Sequence, residues 1–125
     1  MSDAYRHFQQ GQQHLRDGLS AQATVALEKA KRDEPRKSSI REALGIAYYR
    51  IQRFSEAEHE FRAVLELAPT NHYAHFVLGR CLEQRREHSE ARGHYKLAVS
   101  LRPSNGDYVE ALERLEGRGS TDQGR

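Results

Sequence analysis

The chain has one cysteine, one methionine, no tryptophan and only three prolines in 125 residues. The lone Cys81 excludes an intramolecular disulfide and fits a reducing compartment. No apolar run approaches the roughly 20 residues that cross a bilayer, and the opening Met-Ser-Asp-Ala-Tyr-Arg carries no hydrophobic signal region. A cytoplasmic protein with no membrane partner is the expectation. Neither sign of charge is in excess: 20 Lys and Arg face 18 Asp and Glu, for a formal net charge of +2. That balance argues against nucleic acid or an anionic membrane as the main partner. The basic run Lys29–Lys37 is interrupted by Asp33 and Glu34 and reads as a solvated helix end.

The marks of reaction chemistry are missing too. Among seven histidines, His72 and His75 stand at i, i+3 and His7 and His14 at i, i+7, with no zincin-like or Cys-His spacing. No metal and no cofactor are predicted. No nucleophile–base pair, phosphate-binding glycine loop or carboxylate pair can be argued, so no enzyme is predicted.

What is present is a period. Pro35, Pro69 and Pro103 recur at intervals of 34 residues, and so do Gly11, Gly45 and Gly79. Ala23, Ala57 and Ala91 repeat the interval, as do Leu27, Phe61 and Tyr95, and then Ala30, Val64 and Ala98. Five columns with one spacing mark an internal repeat. Within each unit, apolar residues recur every three or four positions: Ile40, Leu44, Ala47, Tyr48 and Ile51, then Phe61, Val64, Leu65 and Ala68. Each unit is therefore two amphipathic helices, closed by proline and restarted by polar residues such as Thr70-Asn71. The spacing predicts helices at about 4–16, 20–33, 38–51, 55–68, 72–85 and 89–102. A seventh, at about 106–116, carries Tyr108, Val109, Leu112 and Leu115 on one stripe. Residues 117–125 hold nothing to bury and are expected to be disordered.

A mid-helix glycine costs about 1 kcal/mol relative to alanine, so Gly11, Gly45 and Gly79 imply a close helix crossing. The expected partners are Ala23, Ala57 and Ala91. Cys81 shares a column with Ala47, a small packing position, and is expected to be buried.

These columns resemble the tetratricopeptide repeat (TPR), a 34-residue helix-turn-helix unit. The second unit supplies Leu44, Gly45, Tyr48, Ala57, Phe61 and Pro69. The third supplies Leu78, Gly79, Ala91, Ala98 and Pro103, with Leu82 and Tyr95 in the aromatic places. The first is weaker, with Gln10 where leucine is expected, and the tryptophan column holds His7, Arg41 and His75. The resemblance implies an all-α solenoid of three TPR units, about 4–37, 38–71 and 72–105. A capping helix at about 106–116 completes a single domain over 1–116. Lys31 and Asp33 stand where later units have apolar residues, and they are expected to face water as the cap of an end repeat.

The resemblance also implies a concave inner face built from the first helix of each unit. Residue by residue this gives Tyr5, Phe8, Gln12, Leu15 and Arg16; then Ser39, Glu42, Ala43, Ile46, Tyr49 and Arg50; then Tyr73, Phe76, Val77, Arg80 and Gln84. The partner-binding set expected from these is Tyr5, Phe8, Gln12, Glu42, Ile46, Tyr49, Arg50, Tyr73, Phe76 and Arg80. An alternative assignment tucks Phe8 and Tyr73 between neighbouring helices as packing. Many members of the family grip a C-terminal carboxylate with lysine, asparagine and arginine. The matching positions here are Phe8, Gln12, Ala43, Tyr73 and Val77, so that clamp is absent. The expected function is an adaptor or scaffold that binds a peptide or helix of another protein. Self-association into homo-oligomers through the groove or a solenoid end is the alternative.

Overall fold

Proline and asparagine punctuate the chain where the period requires. The computed structural model describes the backbone of residues 3–123 and the side chains of residues 3–117. Within them the regular elements are α1 (Ala4–Arg16), α2 (Ser20–Asp33), α3 (Ser38–Arg50), α4 (Phe54–Leu67), α5 (His72–Gln84), α6 (His88–Leu101) and α7 (Gly106–Gln123). The fold is an all-α helical repeat. Pro35, Pro69 and Pro103 each follow the C-cap residue of a second helix, Glu34, Ala68 and Arg102. Asn71 and Asn105 share a column and accept the amides of Ala74 and Tyr108 at 3.0 and 3.2 Å, which satisfies helix N–H groups that have no internal partner. No described helix is long and apolar enough to cross a membrane.

Each first helix turns into its second through one backbone device. Gly18, Gln52 and Arg86, spaced by 34, all take positive φ (76°, 64° and 63°). The following amides, of Leu19, Arg53 and Glu87, reach back to the carbonyls of His14, Tyr48 and Leu82 at 2.8–2.9 Å. This is a left-handed helix stop that satisfies the last carbonyls.

The chain gathers into two compact units, Met1–Pro69 and Thr70–Arg125. In the first, α1 packs on α2, α3 on α4, and α2 on α3. Its fully buried apolar residues include Ala23, Leu27, Ala30, Leu44, Ala57, Phe61 and Val64. In the second, α6 packs on both α5 and α7 around Leu78, Cys81, Leu82, Tyr95, Ala98 and Leu115. The last helix runs past residue 116, where the apolar stripe ends, to Gln123. Residues 124–125 of the expected tail lie outside the described ones.

The glycines do close a helix crossing, and the nearest side chain there is in each case the large residue four positions beyond the expected alanine. A Cβ on Gly11 would lie 2.5 Å from Cγ of Leu27, one on Gly45 2.7 Å from the Phe61 ring, and one on Gly79 2.6 Å from the Tyr95 ring. The partner is the large residue one turn further along the second helix, which lies across the glycine. A second correction concerns the cap. Lys31 is only partly open to water and is paired: its Nζ lies 2.9 Å from Glu60 and 3.3 Å from Glu28. Glu60, at 2% exposure, also receives Arg41 at 3.0 Å. A buried carboxylate needs such partners, and α2 provides one across the interface with the second helix pair.

Candidate functional site

Between α1 and α3 the first unit leaves a cleft of about 380 Å³. The two helices contact sparingly, since each is packed mainly against its own second helix. Phe8, Gln12, Leu15 and Arg16 line the cleft from α1, and Ser39, Glu42, Ala43 and Ile46 from α3. Four expected partner-binding residues, Phe8, Gln12, Glu42 and Ile46, are thus brought together. The other four lining residues belong to the inner face expected from sequence. Phe8, Leu15 and Ile46 are half-buried, so each has apolar surface still open to a ligand.

The remaining expected residues of this unit, Tyr5, Tyr49 and Arg50, are not among those that line the cleft. Tyr5 is 68% exposed, and its hydroxyl accepts a hydrogen bond from Gln9 at 2.8 Å. Tyr49 is half-buried, with its ring edge-on to Phe54 at 5.4 Å. Arg50 donates to the Leu15 carbonyl at 3.1 Å, at the last turn of α1. That bond places a guanidinium beside a cleft-lining residue and satisfies a helix-terminal carbonyl.

In the second unit, Tyr73, Phe76 and Arg80 occupy the α5 columns that match Ser39, Glu42 and Ile46 on α3. Tyr73 is exposed. Phe76 is half-buried and sits within an aromatic cluster, 4.7 Å from the Tyr108 ring and 5.8 Å from that of Tyr95. The Arg80 guanidinium lies over the Phe76 ring at 5.5 Å. The Tyr95 hydroxyl donates to Glu83 at 2.7 Å, and Arg114 of α7 pairs with the same oxygen at 2.7 Å. Burial first, and then the Glu83 carboxylate, push the Tyr95 phenol well above the usual tyrosine range. Tyr48 in the first unit shows the same effect, from burial and its hydrogen bond to Glu28.

His7 and His75 fill a packing column. In the column of the missing tryptophan, His75 stacks on His94 at 5.3 Å, with their Nδ1 atoms 3.1 Å apart. The matching pair in the second repeat is Arg41 and Glu60, and in the first it is His7 and Ala26. His7 Nδ1 is buried without a hydrogen-bond partner, as expected where alanine stands opposite. Among the described residues, no group of three or more His, Cys, Asp or Glu side chains is placed to hold a metal ion.

The family model described as tetratricopeptide repeat matches the chain twice, over residues 8–72 and 42–106. The chain belongs to the tetratricopeptide repeat family. A curated relative, superkiller complex protein 3 of Mus musculus, is 31% identical over 105 residues, which is 84% of this chain and 6% of that protein. The chain therefore spans a small part of that relative's length. Among solved TPR structures, the first TPR of Spaghetti (RPAP3) bound to the HSP90 peptide SRMEEVD superposes with a TM-score of 0.89 at 19% identity, over 94% of each chain. The Yersinia enterocolitica type III secretion chaperone SycD, in complex with a peptide of the translocator YopD, gives 0.76 at 17% identity, over 90% of this chain and 86% of that one. At these identities the likeness establishes the TPR fold.

Proposed function

We propose that this TPR chain is a non-enzymatic adaptor of the cytoplasm whose α1–α3 cleft holds a segment of a partner protein. The carrying observation is the cleft itself, with apolar Phe8, Leu15 and Ile46 among polar Gln12, Ser39, Glu42 and Arg16. A concave site of a few hundred Å³ that is apolar with a few polar groups is the usual form of a ligand site. Solved structures with this fold carry bound peptides, from HSP90 in one case and YopD in another. Cys81, the single cysteine of the chain, is buried and suits a reducing compartment. Tyr73 and Arg80 stand on the matching columns of α5 in the second unit. Because Phe8, Gln12, Ala43, Tyr73 and Val77 stand at the clamp positions, the ligand is held by apolar burial and not by its terminal carboxylate.

The test is a selection of random 12-residue peptides, displayed between two folded domains so that neither end is free, on the intact chain. Enriched peptides should bind the parent and lose binding to Ile46→Arg, with the variant keeping its helical circular dichroism and melting midpoint. Peptides that bind Ile46→Arg as well as the parent would place the site elsewhere.

A further inference from the structure

We draw no further inference here: the strongest candidate, the cleft of about 260 Å³ between α1 and α2 lined by Gln10, His14, Val25 and Lys29, carries nothing because nothing in the structure shows what covers it.

Discussion

Glu60 and Lys31 face each other at 2.9 Å across the interface of two helix pairs, with the carboxylate almost fully buried. Arg41 completes the arrangement from the same helix pair as Glu60. Removing the carboxylate takes the Glu60 ion pair from Arg41 and leaves Lys31 only Glu28, and breaking such a pair costs about 3–5 kcal/mol. Glu60→Ala should therefore destabilise by about 3 kcal/mol in urea unfolding. Because buried pairs are screened weakly, the loss should persist in about 1 M salt. A change below about 0.5 kcal/mol would mean that the network holds nothing together.

Two helical glycines should respond with opposite signs to the same substitution. Gly93 of α6 is exposed, and a Cβ there meets nothing within 4 Å. Gly93→Ala should stabilise by up to about 1 kcal/mol through helix propensity. Gly45→Ala drives a methyl into the Phe61 ring and should destabilise by about 1–3 kcal/mol through overpacking. Thermal melts of the two variants check both. Equal effects would show that Phe61 yields freely.

The helix stops at residues 18, 52 and 86 make a matched series. Gln52 and Arg86 hold the left-handed conformation without being glycine, a strain of about 1–2 kcal/mol each. Gln52→Gly and Arg86→Gly should each raise stability by several tenths of a kcal/mol or more, net of the added freedom of the unfolded chain. Gly18→Ala should lower it by about 1 kcal/mol. Chemical unfolding of the three variants reads the ordering directly.

Alkaline pH should unfold the protein through its buried phenols. The folded state holds the Tyr48 and Tyr95 protons above the ordinary tyrosine range. Above about pH 10 the unfolded chain releases these protons while the folded one keeps them, so stability falls as pH rises. Below that pH the contribution is fully present. The urea midpoint should drop between about pH 9 and 11.5, and less steeply in Tyr48→Phe/Tyr95→Phe. An unchanged slope in the double variant would assign the drop to other groups.

A peptide selected on the cleft should not depend on its terminus. Amidating a synthetic version should change its affinity by less than tenfold, or about 1.4 kcal/mol, in calorimetry. Raising salt to about 0.5 M should weaken it only modestly, because apolar burial is not screened. A larger loss on amidation would reveal a gripped carboxylate.

Residue columns were enough to read the helices and to single out residues that line one cleft. Proline, glycine and the three-four apolar spacing place six helices within a residue of their observed ends. The inner-face columns lead to Phe8, Gln12, Glu42 and Ile46 because they are what remains once packing columns are used. What escaped is what depends on reach across space. A glycine reports that something lies close, but not that Leu27 or Phe61 extends over it from beyond the alanine. A lysine in an apolar column looks like a cap until a buried carboxylate is found opposite. Phe76 reads as groove lining, yet Tyr108 of α7 meets it, a contact that no period of 34 encodes.

The pairing of Glu60 with Lys31 bears on how such a chain could lengthen. Repeat arrays grow by internal duplication, which places a copy of a unit after itself. Had residues 38–71 been copied in tandem, the second Glu60 would meet Leu65 in the column of Lys31, and the second Tyr48 would meet Arg62 in the column of Glu28. One buried carboxylate would lose a cation, and one phenol would lose its acceptor. A duplicated chain should therefore be less stable per repeat than one whose first copy also carries Leu65→Lys and Arg62→Glu. The units share a period but not an interchangeable edge, so this array resists lengthening at its centre.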